Sequence, residues 1–146
     1  MTAQVAMALA VGLAASVQDL TARRISNWIP AAGLACGISW HVYDSGWRGV
    51  VTAVLGAGAG FGIFLIFYLL GGMGGGDVKL MAGLGSLLGA GRLLEAALWT
   101  SAVGGLIALG YLAVRALRRK PAEKKESIPY APAIAIGAWL SLIPKG

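Results

Sequence analysis

Residues 71–90 read GGMGGGDVKLMAGLGSLLGA: a Gly/Met run, one aspartate at Asp77, then a short apolar stretch. Glycines ahead of a helix occur in quite different settings. A phosphate-binding loop needs Lys and then Ser or Thr directly after its last glycine, and a dinucleotide fingerprint needs a βαβ unit around it. Asp77 stands where that lysine would be, and a carboxylate there repels phosphate. The flanks decide the matter. The chain is apolar over residues 49–70 before the run and 78–90 after it, so the glycines join two helices in an apolar solvent.

Composition extends that reading to the whole chain. Of 146 residues, 58% are hydrophobic and 12% charged, with a mean hydropathy of +0.76, a balance that no ordinary soluble domain can hide in its core. Further apolar segments cover residues 3–17, 28–42, 93–117 and 128–143. A bilayer-spanning helix takes roughly 20 apolar residues. The expectation is therefore an all-α polytopic membrane protein of six transmembrane helices, forming a single domain over residues 1–146. The fourth segment is short: roughly 13 residues rise only about 20 Å. It belongs among the other helices, with its polar neighbours below the membrane surface. Residues 1–18 contain no Lys or Arg, so they lack the basic start of a secretory signal and are read as a retained first helix.

The net charge of +6 suggests nucleic acid at first sight, but the aromatics lie in apolar segments and are not interleaved with basic residues. Topology accounts for the charge better. One set of alternate connections holds Arg23, Arg24, Lys79, Arg115, Arg118, Arg119, Lys120, Lys124 and Lys125; the other holds only Arg48, Arg92 and Lys145. The positive-inside rule puts the first set in the cytoplasm and both chain ends outside. The stretch 115–127, with Pro121 and mixed charges, reads as a cytoplasmic loop touching anionic lipid. Trp28, Tyr43, Trp47, Trp99 and Tyr130 fall near span ends, where amphipathic rings anchor at the interface. Gly56, Gly58, Gly60 and Gly62 form overlapping small-xxx-small pairs, the pattern of close helix packing.

Chemistry has few residues to draw on. The lone Cys36 can form neither an internal disulfide nor a cysteine-rich metal site. One histidine, His41, sits toward the outer end of the second segment, so a Ser-His-Asp set or a zinc site is excluded near the cytoplasmic face. Of six acids, Glu123 and Glu126 lie in the charged loop, and Asp44 and Glu95 lie outside beside Arg48 and Arg92. Asp19, at the end of the first segment, and Asp77 remain, both on the cytoplasmic side. An ionisable group at membrane depth is a functional candidate by default. Each also has a plain structural reading, Asp19 as a helix-end partner of Arg23 and Asp77 as a first-turn acid at a helix N-terminus. Paired carboxylates offer more: one activates a water while the other, protonated, polarises a carbonyl. The glycines beside Asp77 would let an extended peptide approach it.

At these residues the sequence resembles the type IV prepilin peptidase family, membrane aspartyl proteases of the GxGD kind. The resemblance rests on Gly74-Gly75-Gly76-Asp77-Val78-Lys79-Leu80, on Asp19 followed by Arg23-Arg24-Ile25-Ser26-Asn27, and on Ile128-Pro129-Tyr130-Ala131-Pro132-Ala133-Ile134-Ala135. It implies that Asp19 and Asp77 are the catalytic pair, supported by Gly74, Gly75, Gly76, Lys79, Arg23, Asn27, Pro129, Tyr130 and Pro132. It also implies a prepilin or pseudopilin substrate, whose short basic leader is removed at the cytoplasmic face of the bacterial inner membrane. Ser26 stands where the family often has proline and Ala131 where it often has glycine. The larger bifunctional members carry a cytoplasmic region with paired cysteines and also N-methylate the new pilin end. These 146 residues resemble the short, peptidase-only form of tight-adherence (Flp) systems. Archaeal preflagellin peptidases share the motif and are the alternative within the class. A non-catalytic membrane scaffold or small transporter is the alternative outside it, since transporters too combine glycine-rich helices with intramembrane acids. No cofactor or metal is expected, and the partners expected are the substrate helix and lipid, not nucleic acid. For Lys79 and the Arg23-Arg24 pair, a role toward the dyad or the substrate stands beside simple topology anchoring.

Overall fold

The computed structural model describes residues 3–118 and 130–144, and every regular element in them is helical. The helices are α1 (Ala3–Ala22), α2 (Trp28–Ser45), α3 (Trp47–Leu69), α4 (Gly75–Leu117) and α5 (Ala131–Ser141). The first helix outruns its apolar segment, which stops at Val17. Backbone bonding needs no apolar side chains, and one further turn carries Gln18, Asp19 and Thr21, whose hydroxyl donates to the Val17 carbonyl at 2.7 Å. The last helix is shorter than residues 128–143; Ile128 and Pro129 lie outside the described residues. So does most of the 115–127 connection.

Residues 78–90 and 93–117, separate in the sequence reading, follow one another in α4 with a break at Gly89, whose φ of 74° and ψ of 165° no helix contains. That conformation suits glycine and is strained for any side chain. The break frees carbonyls that the ladder would otherwise use, and at membrane depth they need partners. The Leu87 carbonyl finds two: Gln4 Nε2 donates to it from α1 at 2.6 Å, and His41 Nε2 approaches from α2 at 3.2 Å. His41 is thus a tie between helices at the break.

The connection from α3 to α4 divides the glycine run by task. Leu70 caps α3, Gly71 follows with φ 78°, and the amides of Gly71 and Gly72 donate to the carbonyls of Tyr68 and Phe67 at 3.0 and 2.9 Å. This is the paired closure of a Schellman motif, which needs a left-handed residue at that point. Gly74 is extended, with ψ 156°, and starts α4.

Packing places α4 at the centre, against α2, α3 and α5 and more lightly against α1. Small residues make this possible. A Cβ at Gly60 would stand 2.6 Å from the Met81 carbonyl, and one at Gly56 would overlap the Gly85 carbonyl. Gly58 and Gly62 face open space, so one of the two expected small-xxx-small pairs packs and the other does not. The core combines Leu80, Met81, Leu84, Leu87, Leu93 and Ile134 with alanines. Outside, Leu98, Leu106 and Leu117 are 70–84% exposed. An apolar exterior around a small-residue interior belongs to a protein whose solvent is lipid. α1, α3 and α4 are each long and apolar enough to cross a membrane. Trp28, Tyr43 and Trp47 are more than three-quarters exposed, as anchors should be, whereas Tyr130 is packed inward against the core.

Candidate active site

Asp19 occupies the last turn of α1 and Asp77 the first turn of α4. Both are buried, at 8% and 7% exposure, and the two carboxylates lie within reach of each other's charge. Each is held by backbone. The Asp77 amide donates to the Gly74 carbonyl at 3.2 Å, and a Cβ added at Gly74 would stand 3.6 Å from Asp77 Oδ2. With Gly74 at the N-cap, Asp77 takes the third helical position, from which an acid can reach back to the cap amide. Asp19 Oδ2 accepts from the Ala131 N–H at 3.2 Å. Ala131 is the first residue of α5, where helical amides have no partner within the helix. Three helices therefore converge on the pair, two of them with their N-termini toward it, the end that favours negative charge.

The supporting residues from the sequence divide. Gly76 lies under Ile25, whose Cβ would be 3.3 Å from an added Gly76 Cβ, and a Cβ added at Gly75 would stand 3.7 Å from the Tyr68 ring. Tyr130 precedes α5 with its ring against Gly104, and Pro132 lies in the first turn of that helix. Lys79 Nζ donates to Asn27 Oδ1 at 3.1 Å, and both side chains are on the exposed side. Two residues along a helix turn by about 200°, so Lys79 points away from the dyad. Arg23 follows α1 with φ 55°, the one non-glycine residue with positive φ among those described. Pro129 lies outside the described residues. Missed by the sequence reading were the Ala131 amide, Ile25 over Gly76, and Gln18, whose Oε1 accepts from the Ser26 amide at 2.5 Å. Pro132 was the available signal for Ala131, since proline marks a first helical turn and so a free amide just before it.

Beside the glycine turn an open apolar groove of about 240 Å³ runs between α3 and the second half of α4, lined by Phe64, Phe67, Met73, Gly104, Gly105 and Tyr130. Among the described residues no group of three or more His, Cys, Asp or Glu could hold a metal ion.

A helical chain with an apolar exterior and three helices long enough to span a bilayer belongs among polytopic membrane proteins, and this one buries two acids near helix N-termini. The sequence model described as the Type IV leader peptidase family matches residues 6–109, and the chain belongs to that family. Two relatives, both named prepilin leader peptidase/N-methyltransferase, come from Bacillus subtilis and Aeromonas salmonicida. The first is 37% identical over 95 residues, covering 63% of this chain and 36% of that protein. The second is 36% identical over 98 residues, covering 62% and 32%. The chain thus spans about a third of the length of the curated relatives it matches. No solved structure matches it significantly.

Proposed function

We propose that this chain is a membrane aspartyl endopeptidase that removes the basic leader of prepilins or pseudopilins, with Asp19 and Asp77 as its catalytic pair. The observation that carries the reading is the burial of these two carboxylates within reach of each other's charge. The names of the relatives, leader peptidases for prepilins, supply the substrate class. In this reading one carboxylate takes a proton from a water as it attacks the scissile carbonyl. The other, protonated, polarises the carbonyl oxygen and then passes its proton to the leaving amine. The non-helical turn 70–74 presents backbone to an extended peptide, and the neighbouring groove receives apolar substrate entering from the bilayer. Gly74, Gly75 and Gly76 keep side chains from the approach to Asp77, and Tyr130 and Pro132 place the N-terminus of α5.

The finer proposals are these: six spans counted across the Gly89 break, both termini outside, the pair at the cytoplasmic face of a bacterial inner membrane, and leader removal without methyl transfer by these residues. The test is co-expression with a prepilin and separation of precursor from mature pilin on a gel. Asp19→Asn and Asp77→Asn should each leave the precursor intact while the protein still accumulates in the membrane. Processing by both variants would return the chain to the scaffold or transporter reading.

A further inference from the structure

The connection between α1 and α2 is tied at four points to the two turns that carry the aspartates. At its start, Arg23 adopts φ 55° directly after α1 while its amide still donates to the Asp19 carbonyl at 3.0 Å. A left-handed arginine costs about 1–2 kcal/mol and persists only where surrounding contacts over-determine it. Those contacts follow in order. Ile25 lies across Gly76, one residue before Asp77. The Ser26 amide donates to Gln18 Oε1 at 2.5 Å, one residue before Asp19. Asn27 Oδ1 accepts from Lys79 Nζ at 3.1 Å, two residues beyond Asp77. The segment therefore grips α1 next to one acid and α4 on both sides of the other. Direct helix contact is sparse here, since α1 meets α4 less than α2, α3 or α5 does.

We propose that residues 23–27 are a strut that sets the separation of Asp19 and Asp77, with Gln18, Ile25, Asn27 and Lys79 as positioning residues that never touch substrate. The proposal rests on the peptidase reading above. It gives Lys79 a defined task although the lysine faces away from the pair: its ammonium bonds a neutral amide and draws the strut onto α4. It also explains why the strut crosses a glycine. A side chain at Gly76 would meet the Ile25 Cβ at 3.3 Å and lift the segment from the helix.

The experiment measures cleavage of a prepilin against pH for the wild type and for Gln18→Met, Asn27→Leu and Ile25→Ala, each normalised to folded protein. The three altered residues are uncharged, so none removes a titrating group; the charged and phenolic neighbours Arg23, Arg24, Lys79, Tyr68 and Tyr130 stay in place. The acid and alkaline limbs belong to the pair, and their spacing grows as the two carboxylates couple more tightly. A loosened strut should narrow that spacing and lower kcat by about 10- to 100-fold with KM nearly unchanged, as misplacement by about 1 Å does. Asn27→Asp, which keeps an oxygen for Lys79, should recover most of the kcat lost in Asn27→Leu. Unmoved limbs in all three variants, with activity falling only as folded protein falls, would reduce the segment to a structural loop and end the proposal. Failure of the peptidase reading looks different: the wild type itself would not cleave, or the aspartate variants would.

Discussion

Replacing Asp19 by alanine and by asparagine should give two equally inactive proteins of unequal stability. Asp19 Oδ2 accepts the Ala131 N–H at 3.2 Å, with Ala131 fully buried and Asp19 8% exposed. That amide opens an 11-residue helix and has no acceptor within it. Asp19→Ala leaves the donor buried and unpaired, at a cost of about 1–3 kcal/mol. Asp19→Asn keeps a carbonyl oxygen in the same place. Both variants remove the carboxyl group beside Asp77, so any change in its interaction with Asp77 cancels in the comparison. What remains is the acceptor and the small space the truncation leaves. For a chain of this size each kcal/mol moves the midpoint by about 2–4 °C. Thermal unfolding of the purified protein in detergent should therefore place the alanine variant several degrees below the asparagine one. Coincident midpoints would show that the bond to α5 contributes nothing, and that α5 is held by packing alone.

Packing offers a second contrast: Gly56→Ala should force α3 from α4 at the Gly85 carbonyl and lower the yield of folded protein, whereas Gly58→Ala, facing open space, should be neutral within about 0.5 kcal/mol. Equal yields would remove the close approach from the account. At the α4 break, Gln4→Leu or His41→Leu alone leaves the Leu87 carbonyl one partner and should be mild. The double variant orphans it and should cost about 1–3 kcal/mol more than the sum, read as a thermodynamic cycle. An additive double variant would count against shared acceptance. For topology, a cysteine introduced at Lys120, outside the described residues, should react with an impermeant thiol reagent only after the membrane is opened; labelling of intact cells would invert the orientation.

Apolar segments were plain in the sequence because lipid demands them, and each falls mainly in a helix, with Leu70, Tyr130, Leu142 and Ile143 beyond helix ends and Gly89 at a break. Their ends were harder to read. Hydropathy stopped the first helix at Val17, but hydrogen bonding carried it to Ala22 and so put Asp19 inside a helical turn. The two acids were singled out by elimination, and both are buried. What holds them was not. The Ala131 amide acts through backbone geometry, which leaves no side-chain signature in the pattern of residues, and Gln18 Oε1 serves a backbone amide eight residues on, a pairing that only the turn creates. Glycine was ambiguous for the same reason. Gly56 and Gly58 look identical in the sequence, and only the phase of α3 against α4 separates a packed glycine from an idle one.

Breaking α4 at Gly89 leaves a first segment, 75–88, that rises only about 20 Å, and α5 rises about 16 Å. The hydrocarbon layer is about 30 Å thick. Thinning of the bilayer is one way to meet helices this short, and both have their N-termini toward the carboxylates. On the peptidase reading, such a dimple would fall where hydrolysis consumes water. A peptidase built this way would draw its second substrate straight from the aqueous phase, which would make membrane thickness part of its catalytic apparatus.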